Sequence, residues 1–330
     1  MGVYIGENHQ VLCLTDIPLT MAPNSYDDQY IGCPSTMEDK LMDPTKNEFA
    51  PGKKYTYIWE NAVSFWNQFK GSVLLPENFK KVYGVALLAY TACSNLYPDF
   101  NAAVRTGGKS TTSYEKDFHF KSFDFLVTKA IEVLKASQTG CYDVYRGVSN
   151  LRFTVPDPNK PVRFGHFTSS SLSKEVAEYF GMDTFFTIKT CYGAKIIDFS
   201  YFPSEEEVLI PPYEMFKVVG VKEVGGKTQI TLHSDSKSSN FNCGSKRANA
   251  KAYVLSVDNR GTSSNGMYDG YSGMDARALA ALNQTDYDYL VAKCKLSGAA
   301  PSSLTPGIPA SFLLWGFLLF SGSLQSMGSW

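Results

Sequence analysis

Apolar side chains recur at helical spacing in the first half of the chain and follow strand-like patterns in the second. Between Tyr55 and Phe69, the residues Ile58, Ala62, Val63, Trp66 and Phe69 fall on one helix face. Pro76 suits the first turn of a second helix, with Phe79, Val82, Tyr83, Ala86, Leu87 and Tyr90 along one side. A third helix is expected from about Phe123 to Ala136, with Leu126, Val127, Ala130, Ile131 and Leu134 inward and Gly140 ending the segment. The polar stretch from Thr106 to Ser113 reads as a loop.

From Cys141 the texture changes. Strands are expected at Cys141 to Val148, Val162 to Thr168, Val208 to Val224 and Thr228 to His233, with Gly225-Gly226 as a hairpin turn. Thr184 to Ile197 is a further strand-rich stretch, broken at Tyr192-Gly193. A short helix from about Ser173 to Phe180 interrupts them, with Ser173 as its N-cap. Helices first and strands later predict an α+β fold, not a doubly wound sheet. After Cys243 the chain is rich in Gly, Ser, Asn and Asp. The expected division is a poorly defined start (1–14), one folded domain (15–245), a flexible stalk (246–300) and a terminal signal segment (301–330). A short surface helix is expected within the stalk, from Met274 to Asn283.

Composition narrows the function classes. The 330 residues are 44% hydrophobic and 14% aromatic, enough for a large core. Net charge is −1 with no basic stripe, which argues against nucleic acid as a partner. There is no GxGxxG and no P-loop, so any nucleotide is held by other means. The seven Cys include no CxxC pair, and there are only four His, so no metal site is expected. Their wide spacing suits long-range disulfides in an oxidising compartment. Seven is odd, so at least one thiol is free or paired between chains. Asn283-Gln284-Thr285 is a glycosylation sequon, compatible with secretion.

The ends carry targeting information. Small residues at Ser297-Gly298-Ala299 precede a polar, Pro-containing spacer and the apolar run Ala310 to Phe320. That run is shorter than the roughly 20 residues of a spanning helix, and no Lys or Arg follows it. This is the pattern of a GPI-attachment signal, which would leave the protein on the outer face of the plasma membrane. Met1 to Asp16 has neither a basic n-region nor a sufficient apolar run for a signal peptide. An anchor requires secretory entry, so a start truncated upstream is expected.

The candidate chemistry centres on Phe202-Pro203-Ser204-Glu205-Glu206-Glu207-Val208-Leu209-Ile210-Pro211-Pro212. Three consecutive carboxylates at the mouth of an apolar strand repel one another, and strands disfavour Glu. In an extended chain Glu205 and Glu207 share a face and Glu206 points away. Two carboxylates on one face can divide labour, one stabilising developing positive charge and one handling a nucleophile. Taken alone, the segment reads more simply as a solvated charged loop before a buried strand, since most charge runs are solvated. Two upstream segments join it: Tyr145-Arg146-Gly147 in the first strand, and Phe167-Thr168-Ser169-Ser170-Ser171 closing the second. A planar guanidinium suits a phosphate, and a following Gly lets backbone approach a ligand closely.

In this order the segments resemble the vertebrate arginine-specific mono-ADP-ribosyltransferases, ecto-enzymes with an Arg…Ser…Glu-x-Glu signature. The resemblance extends to Met21-Ala22-Pro23-Asn24-Ser25-Tyr26-Asp27-Asp28-Gln29-Tyr30 and to Ala103-Val104-Arg105-Thr106-Gly107-Gly108. It implies the ADP-ribosyltransferase fold: a split, mixed or antiparallel β-core holding NAD, with a helical N-terminal region beside it. It further implies that Arg146 grips the NAD phosphates, Gly147 binds the nicotinamide carboxamide, and Ser169 orients Glu207. Glu207 would hold the nicotinamide ribose and stabilise the transition state, while Glu205 would position the acceptor guanidinium and take its proton. Phe180 would stack on nicotinamide and Tyr90 would line the same site; core packing explains these two rings equally well. Tyr201 and Phe202 would belong to the loop that reads the target protein. The family pattern pairs Cys33 with Cys243 and Cys141 with Cys191, leaving Cys13, Cys93 and Cys294 unassigned. The expected co-substrate is NAD without a metal, the expected partners are proteins with exposed arginine, and the expected state is a monomer. An NAD glycohydrolase and a non-catalytic surface-anchored binding protein remain the alternative functions.

Overall fold

The computed structural model describes residues 14–41, 47–69 and 73–246, together with Thr285, Ala292 and Cys294. The N-terminal half is a helical lobe: α1 (Pro34–Leu41), α2 (Thr56–Phe69), α3 (Lys81–Thr91), α4 (Leu96–Gly107), α5 (Thr111–Lys116) and α6 (Lys121–Ser137). α3 is its axis, buried from Tyr83 through Thr91. Gly84 lets α2 approach closely, because a Cβ there would meet the Trp66 ring at 1.9 Å.

The C-terminal half is built of strands. They are β1 (Thr15–Pro18), β2 (Tyr142–Val148), β3 (Leu151–Thr154), β4 (Thr168–Ser171), β5 (Thr184–Thr190), β6 (Ala194–Lys195), β7 (Glu207–Ile210), β8 (Glu214–Val224), β9 (Lys227–Lys237), β10 (Phe241–Asn242) and β11 (Ser245–Lys246). The short helix α7 (Lys174–Tyr179) lies between β4 and β5, with the Ser173 hydroxyl accepting from the Val176 N–H at its start. The main sheet runs β6-β7-β4-β2-β5-β9-β8. Only β5 and β9 pair in parallel within it, so the fold is α+β with a mixed sheet. β2 and β4 share a single register pair, Tyr145 opposite Ser171, and the sheet splits there.

Several sequence expectations shift for identifiable reasons. The second helix starts at Lys81 rather than Pro76, because Asn78 has φ +66°, outside the right-handed helical region. The loop expected from Thr106 to Ser113 shrinks to Gly108–Ser110, because α4 runs through Gly107 and α5 begins at Thr111. The α4 stripe Leu96, Phe100 and Val104 was present in the sequence as an i, i+4, i+8 signal. The strand expected at Val162 to Thr168 is a four-residue ladder at Thr168–Ser171, with Val162 held by one bridge to Phe216. Gly165, at φ +70°, turns the chain between them. The long strand expected from Val208 to Val224 is two strands, since Pro211 and Pro212 have no N–H to donate and Glu214 N–H closes a turn on the Pro211 carbonyl. Thr15–Pro18 pairs in parallel with β3, so the folded domain begins with an ordered strand.

Disulfides join Cys33 to Cys243, Cys141 to Cys191 and Cys93 to Cys294. The third bond corrects the stalk boundary. Cys294 is buried against the helical core, and Thr285, Ala292 and Cys294 are helical, so the folded body reaches beyond residue 245. The rest of the expected stalk, the surface helix, the sequon asparagine and the terminal signal lie outside the described residues.

The stretch Met21–Tyr30 ties the two halves together. Arg163 pairs with Asp27 at 2.6 Å, both side chains buried, and also donates to the Met21 and Ser238 carbonyls. Asp27 accepts from the N–H groups of Asn240 and Phe241, and Asp28 from those of Cys243 and Gly244. Gly108 N–H donates to the Asn24 carbonyl, and a Cβ at Gly108 would meet the Ser25 carbonyl at 2.0 Å. The two non-catalytic segments of the family resemblance therefore pack directly on each other.

Candidate active site

A cleft opens where β2 and β4 part. β2 contributes Tyr145, Arg146 and Gly147, and β4 contributes Ser169, Ser170 and Ser171. The opposite wall is α7 and its end, with Val176, Ala177 and Phe180; Glu205 and Glu207 complete the lining.

Arg146 is 6% exposed and donates from Nη1 to the Ser169 carbonyl at 2.6 Å. The guanidinium thus spans the gap between the splayed strands, using one of its five N–H groups on β4. Gly147 owes its identity to packing: a Cβ would meet the Ala177 and Gly181 carbonyls at 2.1 and 2.3 Å. The missing side chain is what lets α7 lie against β2 and narrow the cleft.

Glu205 and Glu207 are 5% and 1% exposed, whereas Glu206 is exposed. The sequence expectation of a shared face holds, but not through an extended chain. Glu205 ends a single 3-10 turn, Pro203–Glu205; Glu206 is left-handed at φ 48°, ψ 45°; and Glu207 opens β7. The turn at Glu206, not the strand pleat, swings Glu205 into the same cleft. Glu207 is held by the ladder, opposite Ser171, with Ser169 opposite the next inward residue, Leu209. Ser169 and Glu207 are diagonal neighbours on one sheet face.

Tyr90 is not among the lining side chains. It sits behind Ser169, 2% exposed, donating to the Phe167 carbonyl at 3.3 Å and accepting from Asn101 at the same distance. Burial pushes its hydroxyl well above the usual phenol range, and the neighbouring Tyr97 and Glu207 push the same way. The reason is its place on α3, buried on every side. Phe180, the residue that ends α7, does line the cleft. Tyr201 packs on Phe65 of α2 at 4.6 Å between centroids, so its ring turns toward the helical lobe, and Phe202 is buried.

A profile described as NAD:arginine ADP-ribosyltransferase matches residues 19–240. The chain belongs to the NAD:arginine ADP-ribosyltransferase family. NAD(P)(+)–arginine ADP-ribosyltransferase 2 of Gallus gallus is 48% identical over 225 residues, covering 68% of this chain and 72% of that protein. GPI-linked NAD(P)(+)–arginine ADP-ribosyltransferase 1 of Mus musculus is 45% identical over 237 residues, covering 69% and 73%. Among solved structures, the eukaryotic mono-ADP-ribosyltransferase ART2.2 superposes with a TM-score of 0.60 at 41% identity, covering 69% of this chain and 98% of that one. Variants of ART2.2 have been crystallised with NADH and with NAD.

Sequence reasoning had attached no role to Ser171, Asn101 or Arg163. Ser171 lines the cleft, Asn101 lies behind it and Arg163 fixes the strap that joins the lobes. The only available signal was that Ser171 follows Ser169 by two, on the same strand face.

Proposed function

We propose that this enzyme transfers ADP-ribose from NAD to the guanidinium of arginine in proteins and releases nicotinamide. The observation that carries the reading is the convergence of Arg146, Glu205 and Glu207, all buried, on one cleft. The cleft suits the substrate through its charge. A buried guanidinium at its floor matches a pyrophosphate in charge and geometry.

In this reading the bond from the ribose carbon to the nicotinamide nitrogen breaks, and nicotinamide leaves with the electron pair. A new bond forms from the same carbon to an arginine nitrogen, which gives up a proton. Arg146 neutralises the phosphates. Glu207 faces the positive charge that develops on the ribose, where a fixed carboxylate in a water-poor site acts most strongly. Ser169 orients Glu207, and Tyr90 supports Ser169 from behind. Phe180 packs on the nicotinamide ring. Glu205 holds the acceptor and takes its proton, which is required because free guanidinium is always protonated and a poor nucleophile.

The apolar tail from Ala310 to Phe320 and relatives named as GPI-linked support attachment to the outer face of the cell, where target proteins and NAD are extracellular. The test of the activity is incubation with adenine-labelled NAD and agmatine, a small guanidine. ADP-ribosyl-agmatine is the expected product; free ADP-ribose alone would identify a glycohydrolase instead, and no turnover a non-catalytic binding protein.

A further inference from the structure

Ser171 occupies a junction. It is the one residue of β4 in register with β2, opposite Tyr145, and it also stands opposite Glu207 on β7. Its buried hydroxyl donates to the Glu205 carbonyl at 2.7 Å and accepts from the Ser173 N–H at 2.9 Å. Ser173 in turn caps α7, the helix that forms the opposite wall of the cleft. Next along the chain, Leu172 N–H donates to the Glu206 carbonyl at 3.2 Å.

These two bonds fall on successive peptide planes. Holding the Glu205 carbonyl fixes the plane between Glu205 and Glu206. Holding the Glu206 carbonyl fixes the plane between Glu206 and Glu207. Together they keep Glu206 in the left-handed conformation, which a residue with a Cβ rarely adopts without such restraint. The angle at Glu206 sets the direction of Glu205 relative to Glu207. The two carboxylates differ in what else holds them: Glu207 is locked into the β4–β7 ladder, whereas Glu205 lies outside any strand.

We infer that Ser171 is a positioning residue whose hydroxyl latches Glu205 into the cleft and so sets how NAD-derived ADP-ribose is partitioned between arginine and water. The inference rests on the proposed transfer activity. Loss of the latch displaces the acceptor-side carboxylate and leaves the donor-side one in its strand. A displacement of about 1 Å at a reacting group is enough to cost orders of magnitude in rate.

The experiment measures ADP-ribosyl-agmatine and free ADP-ribose from the same labelled NAD, with initial rates over a range of agmatine and NAD concentrations. S171A is expected to lower the ratio of transfer to hydrolysis about tenfold, with the loss in the acceptor terms and the KM for NAD within twofold. S171T, which keeps the hydroxyl, should restore the ratio. In a Glu205→Gln background, S171A should change the ratio no further, because the latch acts through Glu205. A wild-type ratio in S171A, a proportional fall of both products, or an effect that persists without Glu205 would each overturn the inference. Should S171A not fold, Ser171→Cys keeps the volume with a weaker donor, and an unchanged ratio there overturns it as well. A wild-type enzyme that forms no agmatine adduct would instead overturn the transfer reading, and this inference with it.

Discussion

At the scale of single residues, two carboxylates of the same type are separated by how each is held. Glu207 begins a central strand and is almost fully buried, and Glu205 reaches the cleft only through the turn at Glu206. Glu207→Gln is therefore expected to lower both agmatine transfer and NAD hydrolysis by on the order of 10²-fold or more, since both need charge stabilisation at the ribose. Near wild-type turnover in that variant would remove Glu207 from the reaction. Glu205→Gln is expected to cut transfer far more than hydrolysis, because water needs less help as a nucleophile than a protonated guanidinium. Equal losses in the two rates would contradict that division.

Asp124 makes the stability of the folded state depend on pH. Burial, with Asp28 nearby, pushes its carboxyl well above the usual range, although the Tyr30 hydroxyl donates to it at 3.0 Å. A raised pKa in the folded state means the folded protein holds the proton more tightly than the unfolded chain. The stabilisation is fully present below the ordinary aspartate value of about 4 and is lost as pH rises toward the folded-state value. Asp124→Asn keeps the acceptor for Tyr30 and has no proton to lose. Its stability relative to wild type should rise from pH 4 to pH 8. Thermal melts of both proteins across that range would contradict this if the difference stayed flat.

At the scale of elements, the cleft depends on how closely α7 lies on β2. That approach depends on Gly147, where the atoms in the way of a Cβ are backbone carbonyls and cannot rotate aside. Gly147→Ala should push α7 outward, lower stability by about 1–3 kcal/mol and raise the KM for NAD about tenfold. An unchanged melting temperature with an unchanged KM would mean that the wall is not set at this contact. The same logic applies at Gly108, where the Ser25 carbonyl blocks a Cβ and the Met21–Tyr30 strap reaches the end of α4, whereas at Gly84 the obstacle is the Trp66 ring of α2.

At the scale of the whole molecule, the strap, the buried Asp27–Arg163 pair and the Cys33–Cys243 disulfide join the helical lobe to the strand half, while Cys141–Cys191 links the ends of β2 and β5 and Cys93–Cys294 stays within the helical side. The Cys93–Cys294 bond also ties Cys294, which precedes the apolar tail Ala310 to Phe320 in the sequence, to the helical core. If that tail directs GPI attachment, a version expressed with a secretion signal should be released from cells, still active, by a phosphatidylinositol-specific phospholipase. Retention with Trp330 still detectable by mass spectrometry would make it a membrane tail instead.

Much of this was legible in the chain itself, for physical reasons that operate locally. Helical periodicity located α2 and α6 to within a few residues, the Ser173 cap and Gly225-Gly226 turn are short-range chemistry, and Arg146, Ser169, Glu205 and Glu207 stand out by type and order. What depended on residues distant in sequence was not legible. Pro211-Pro212 and Gly165 end ladders whose partners lie tens of residues away, Tyr90 retreats behind Ser169 because α3 is enclosed on all sides, and Cys93 finds Cys294 across 201 residues. The sequence alone determined which groups are available for the proposed chemistry, because charge and hydrogen-bonding capacity belong to side chains. Only the tertiary structure decided how two neighbouring glutamates come to face one cleft, because the left-handed turn between them is held by hydrogen bonds from β4 and the residue after it.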